Sequence, residues 1–431
     1  MCAALVQTAA AQETQQIKLP NFDALQKDVD KSNADIANPK KADNPKTWVS
    51  RGDMLTGVYD KSVMGAMPNT PTAIFDKLKP EKKETKIGST TYQTLVFPNI
   101  ELYFDQNQLI CWRETKTVVE YPLTRAWEAY LKAVALDAKG GSAKQVKLGL
   151  EKLAQKMRAE GVNHYTLQDY KTAQKYFMES VQAATHPLVG RLDSVIAYYA
   201  GLMSLMESVS DYDNAVTYFQ LCIDNSYYED GDVFLRIAKA YELKGSKEAQ
   251  EKYLIDGFMK FPKNQSILIE LINMYLTAGD EATKVLPFLH QAQENEPGNG
   301  TLFFAEATLY EKLGSMGDAE RLYLKAIEVT PTSYNAYYNL GALYYNRGVE
   351  YVKQASAIKD WRDPKIKELE DQANVEFKRA LEPFVTAHEL QPNDKTALET
   401  VKNIYFRFRN ESDEMMGKYN EYNEKFKQLS E

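Results

Sequence analysis

A spaced set of small and aromatic residues recurs about every 34 positions along this sequence. It is cleanest at Phe303, Ala307 and Tyr310, then Ala319, Tyr323, Ala326 and Pro331. The next copy reads Tyr337, Leu340, Gly341 and Tyr344 and, after an interruption, Ala380, Phe384, Ala387 and Pro392. Each copy predicts two antiparallel helices. The small residues stand where the helices cross closely, the aromatics fill the gap between neighbouring units, and proline stops the second helix because it cannot continue it. Units of this kind bury their apolar faces only on their neighbours, so the expected fold is all-α, a superhelical solenoid of helix-turn-helix repeats.

The 431-residue chain carries a net charge of -8. It shows no basic stripe, which disfavours nucleic acid and anionic membrane as partners. No apolar run approaches the roughly 18 residues needed to span a bilayer. Residues 1–11 are small and apolar, and Ala9-x-Ala11 before Gln12 has the form of a secretory cleavage site. They read as a signal peptide lacking its positive start, which predicts export and removal of Cys2. The alternative is an Ala-rich terminus with no targeting role. Of the other two cysteines, Cys222 takes the small-residue slot after Ala215 and Phe219 and is expected to be buried. Cys111 lies in an inserted segment, with no disulfide expected between them.

Residues 12–43 are polar and read as a linker. Asn44-Pro45 signals a helix start, and Trp48 and Gly52 open the first repeat over 44–137. Its second helix follows only at Ala126, Tyr130 and Ala133. Between them, 61–119 is an insertion rich in β-branched and aromatic residues, with Pro98 and DQNQ as breaks, which predicts a hairpin or a three-stranded sheet. Further repeats are expected over 138–346: near 154–187 (Gly161, Ala173, Phe177), 194–228 (Gly201), 231–264 (Phe234, Ala238), 265–299 (Leu268, Tyr275) and then the two clear copies. A second insertion, 347–373, has helical composition and should lengthen both helices into an arm that bends at Asp363-Pro364. Residues 374–431 then supply the last repeat helices and a charged cap.

The order aromatic-x2-large-small-x2-Tyr, Ala-x3-aromatic-x2-Ala, Pro resembles the tetratricopeptide repeat. The stretches KDVDKSNADIANPKKADNPKTWVSRGDM, AYYNLGALYYNRGVEY and HELQPNDKTALETVKNIYFRFRNE look like segments of the exported tetratricopeptide proteins of Bacteroidetes. That resemblance implies a periplasmic protein of a Gram-negative bacterium. It further implies that the first helix of each repeat lines a groove through its second, fifth, ninth and twelfth positions. Those positions give Ile269 and Asn273, then Phe304, Thr308 and Glu311, then Asn335, Tyr338 and Tyr345, and finally Asn403 and Phe406. Aromatics supply rigid contact area and asparagine can donate and accept at a peptide backbone, which suits a peptide ligand. For Tyr345 and Phe406 the competing reading is packing onto neighbouring helices. A Lys/Asn clamp for a C-terminal carboxylate is absent, since Phe304 and Tyr338 stand where lysine would.

Nothing in the sequence supports catalysis. His164, His186, His290 and His388 are isolated, with His388 expected in a solvated or helix-capping role. No cofactor or metal is expected. Gly140-Gly141 follows no strand, and no nucleophile set can be nominated. The expected function is therefore a non-enzymatic scaffold that holds protein or peptide partners in the cell envelope. The alternative is a glycan-binding protein that uses Trp112 and Tyr103 as an exposed platform.

Overall fold

The computed structural model describes residues 17–277 and 283–429. The proposed signal peptide lies outside them. The chain divides into two compact units, the first running to Gln250 and the second from Glu251 onward.

Unit 1 opens with α1 (Phe22–Ala37), α2 (Pro39–Ala42) and α3 (Pro45–Ser62). The linker expected over 12–43 is thus corrected. The Asn21 side chain caps α1 by accepting the Ala24 amide, and Leu25 and Val29, one turn apart, are buried in contact with α3. Only two apolar positions suffice to hold the helix, which is why its composition reads as unstructured. Asn44 caps α3 in the same way through the Lys46 amide, with Pro45 at the first helical position, where its missing N–H costs nothing.

α3 pairs with α5 (Pro122–Leu136), although some sixty residues separate them in sequence. Between them lie α4 (Thr72–Asp76) and an antiparallel sheet in the order β1 (Glu81–Ile87), β2 (Thr90–Val96), β3 (Ile100–Asp105) and β4 (Gln108–Glu114). Glu81 pairs with Val96, Gln93 with Phe104 and Ile100 with Glu114. The turn from β3 to β4 uses Gln106 and Asn107, both at positive φ, the geometry that suits the twist of a two-residue hairpin. The sheet has one strand more than the largest expected. β1, with the sequence EKKETKI, is an exposed edge and so lacks apolar alternation; its lysines are the kind of residue that blunts an edge against pairing with another chain. Leu95, Ile100, Leu102, Phe104 and Trp112 pack with Phe75, Leu55 and Val58 into the core of the unit.

α6 (Ala143–Thr166) pairs with α7 (Tyr170–Thr185), α8 (Ser194–Leu205) with α9 (Tyr212–Asp224), and α10 (Asp232–Leu243) packs on α9. α6 begins well before the expected 154. Its extra turns carry Gly149, where an added Cβ would sit 2.3 Å from the Tyr130 ring; at Gly52 of α3 it would sit 2.7 Å away. Tyr130 is therefore clamped between two helices that can approach only because both contact points are glycine. α11 (Lys247–Lys260) contains the boundary between the units.

Unit 2 continues with α12 (Gln265–Thr277), α13 (Leu286–Asn295), α14 (Gly300–Lys312), α15 (Met316–Val329), α16 (Tyr334–Ala357), α17 (Pro364–Leu390), α18 (Lys395–Phe408) and α19 (Asp413–Gln428). Its core gathers Ala307, Ala319, Tyr323, Leu340, Tyr344, Ala380, Phe384, Ala387 and Leu398, mostly the residues of the repeat spacing. α16 and α17 are both long, and the turn between them ends where Asp363 accepts the Lys365 amide and Pro364 opens α17.

Candidate functional site

The groove candidates all lie on the first helices of unit 2, with different exposures. Ile269 and Asn273 of α12, Asn335 of α16, and Asn403 and Phe406 of α18 are exposed, Ile269 by 50% and Phe406 by 47%. Phe304, Thr308, Tyr338 and Tyr345 are partly covered. Tyr345 rests on Phe377 and Phe384, with ring centroids 5.2 and 6.5 Å away, so it belongs to its own hairpin. Phe406 lies against Tyr419 at 5.3 Å with the Arg409 guanidinium over its ring, yet half of it still faces solvent.

A polar knot joins α14, α15 and α16. The Tyr323 hydroxyl donates to Glu311 Oε2 at 2.6 Å and lies 3.4 Å from both Thr308 Oγ1 and Asn339 Nδ2. Burial, then the neighbouring Glu311, push this phenol up to about 12. Tyr323 thus closes its own hairpin with its ring and orients three first-helix side chains with its hydroxyl. Beyond it opens a cleft of about 710 Å³ between α16 and the start of α18, lined by Tyr334, Tyr338, Pro392, Asn393 and Asp394 among others. The Tyr334 and Tyr338 rings stack 5.7 Å apart at 25°, and Tyr338 also meets Phe384 edge-on at 5.4 Å. Tyr334 donates its hydroxyl to Asp394, the N-cap of α18. Partial burial works against ionisation of Asp394, but the Tyr334 hydroxyl and the Thr396 amide outweigh it and hold the carboxyl below its ordinary range. In the sequence Asp394 reads only as a helix cap, and nothing there marks its tyrosine.

The platform expected in the inserted sheet does not exist. Trp112 is 2% exposed and Tyr103 is fully buried, so neither can stack on a sugar. Trp112 instead docks the sheet. Its Nε1 donates to Glu160 Oε1 at 3.0 Å, and its backbone N–H donates to Asn163 Oδ1 at 2.7 Å. Glu160 also accepts from the Tyr59 hydroxyl at 2.6 Å and from Asn163 Nδ2 at 3.2 Å, and lies 3.5 Å from His164 Nε2. One buried carboxylate of α6 thus ties together α3, β4 and its own helix. Glu114, at the end of β4, is pushed up to about 7 by burial and then by the Glu160 charge, and its Oε1 has no hydrogen-bond partner.

Among the described residues no group of histidine, cysteine and acidic side chains is placed to hold a metal ion. His388 is buried, not solvated: it lies in α17 beneath Tyr422, and its Nδ1 has no partner. The cause is α19, which covers the turn where a solvated end was expected. Cys111 and Cys222 are both buried with no disulfide between them, and burial raises the Cys222 thiol to about 12.

A model of the tetratricopeptide repeat family matches residues 322–354, which run from α15 into α16. No curated protein matches this sequence. Among solved structures, a tetratricopeptide-repeat protein of Bacteroides fragilis is 20% identical with a TM-score of 0.32, over 58% of this chain and 97% of its own. One from Parabacteroides merdae is 14% identical with a TM-score of 0.35, over 58% of this chain and 98% of its own. Human IFIT1, solved as a dimer with m7Gppp-AAAA, is 17% identical with a TM-score of 0.31, over 72% of this chain and 64% of its own. These similarities bring no ligand or partner to this chain. The match places a tetratricopeptide repeat at residues 322–354, within an array of helical hairpins of which the first carries a small inserted sheet.

Proposed function

We propose, from the tetratricopeptide repeats of this chain, that it is a non-catalytic scaffold of the bacterial cell envelope which holds extended segments of other envelope proteins on the first-helix face of unit 2. The observation that carries this reading is the uneven exposure of that face. Asparagines and apolar side chains stand open on α12, α16 and α18, while the aromatics between them are already held by their own hairpins. Side chains positioned in advance lose little freedom when a ligand binds, and exposed carboxamides can pair with a peptide backbone. A repeat stack supplies surface rather than a reaction centre, so the function is argued from this face and not from the fold. The envelope location rests on the Ala9-x-Ala11 signature and on the resemblance to exported proteins. Among the described residues no helix is long and apolar enough to cross a membrane.

The test is a photo-cross-linking residue placed in intact cells at Asn335 and at Asn403, with Lys325 on a second helix as the control. The expected result is one protein captured at both first-helix positions and not at Lys325, with the complex in the periplasmic fraction. Equal capture at all three positions would sink the groove, and recovery of the complex in the cytoplasm would sink the envelope assignment.

A further inference from the structure

We infer that the cleft between α16 and the start of α18 receives a basic side chain, lysine or arginine, of the peptide held on the first-helix face. This inference rests on the scaffold reading and deepens it.

Among the described residues, a tyrosine on one first helix donates to an aspartate at the start of the next in two places. In unit 1, Tyr198 of α8 donates to Oδ2 of Asp232, the first residue of α10. One turn further on, Arg236 Nε donates to the same oxygen at 2.9 Å, so this carboxylate has its cation within its own helix. In unit 2, Tyr334 of α16 donates to Oδ2 of Asp394. The residue one turn on from Asp394 is Leu398, which is fully buried, and Asp394 has no ion-pair partner among the described residues. The Thr396 amide donates to Oδ1 at 2.9 Å, and the Thr396 hydroxyl and Ala397 amide also serve this carboxylate, but none of these donors is a cation, which is what Arg236 supplies in unit 1.

The surroundings of Asp394 do not neutralise it. Among the described residues, it is the one acidic or basic side chain that lines the cleft. His388, whose charged form would be favoured by Asp394, is kept below its ordinary value by burial and then by Lys425. Tyr334 and Tyr338 present their stacked pair to the same space, and a cation is drawn to the faces of such rings as well as to a carboxylate. The carbon stem of a lysine or arginine can lie along Tyr338 and Pro392 while its charge reaches Asp394. The cleft is open to one side and about 710 Å³ in volume, ample for such a side chain on a peptide that continues past it.

The test is selection of a displayed library of short random peptides on the full-length protein and on two variants. Asp394→Asn removes the charge but keeps the cap, since asparagine caps helices as well as aspartate. Tyr334→Phe keeps the aromatic wall. The expected outcome is a wild-type pool with lysine or arginine at one fixed position, and loss of that preference in Asp394→Asn at an unchanged melting temperature. A synthetic peptide from the pool should bind about tenfold more weakly when its lysine is acetylated. Tyr334→Phe, which frees Oδ2, should retain the preference. An enriched pool with no basic position, or a basic preference that survives Asp394→Asn, overturns the inference while leaving the scaffold standing. Failure of any peptide to be enriched overturns both.

Discussion

Two hairpins of this protein accept long insertions, and they do so in different ways. In unit 1 the insertion between α3 and α5 is a sheet whose inner strands carry apolar residues, so it must find a second surface for its buried face. It finds one on α6, where Trp112 and Glu160 lock it down. In unit 2 the insertion between the cores of α16 and α17 is helical, and it lengthens the two helices side by side. The extension repeats the closure of the hairpin: Phe384 lies under Gly341, and Phe377 lies under Gly348. Its tip needs no other surface and leaves Trp361 77% exposed. A hairpin thus tolerates insertion at its open end because the contacts that define the repeat lie elsewhere, and the periodicity of the insert decides whether it folds back or extends.

The largest expected effect tests the closures themselves. Tyr130 is clamped on both sides and Phe377 on one, so Gly149→Leu should cost at least about 3 kcal/mol and Gly348→Leu about 1–2 kcal/mol, measured by urea denaturation. Equal costs would show that Tyr130 can shift as freely as a ring in the arm. Next, Glu160→Ala strands the Tyr59 hydroxyl and the Trp112 indole, and should cost about 3 kcal/mol. Hydrogen exchange should then rise in β3 and β4 but not in the arm; a uniform rise would mean that the sheet is no separate clasp.

A smaller effect depends on pH. The Glu114 carboxyl titrates near 7 when folded, above its ordinary value. The unfolded chain therefore loses this proton first as pH rises, and stability present at about pH 4 falls through about pH 7, by roughly 2 kcal/mol once solvent screening is allowed for. Glu114→Gln should flatten that slope and raise the melting temperature at about pH 8 only. An unaltered slope would place the titration elsewhere. Smallest of all, Trp361→Ser at the arm tip should change stability by less than about 0.5 kcal/mol, and a larger loss would mean that the tip is packed.

Much of this was legible in the residues. The spacing of Ala126, Tyr130 and Ala133 located the partner of α3 across the insertion, because a helix pair needs small and large residues at set offsets wherever its second half is placed. α1 and β1 were not legible, for one reason: each buries so few apolar side chains that its composition reads as solvated. The exposure of the candidate face was legible only in part. The first-helix offsets pointed to Asn335, Asn403 and Ile269, which are exposed, but equally to Tyr345, which is held by Phe377 and Phe384. Nothing pointed to Asp394 as a partner of Tyr334, since the two meet only when one repeat lies against the next.

By itself, the sequence determined the repeat, the hairpin closures and the places where insertions enter, since all of these follow from local periodicity and from residue size at close crossings. Only the tertiary structure decided which aromatics are spent. Trp112 and Tyr103 look like an exposed platform until the sheet folds against α6, and Tyr334 looks like one more repeat tyrosine until Asp394 arrives beside it. Burial and hydrogen-bond partnership depend on what the rest of the chain brings to a side chain, and neighbours along the sequence do not record that.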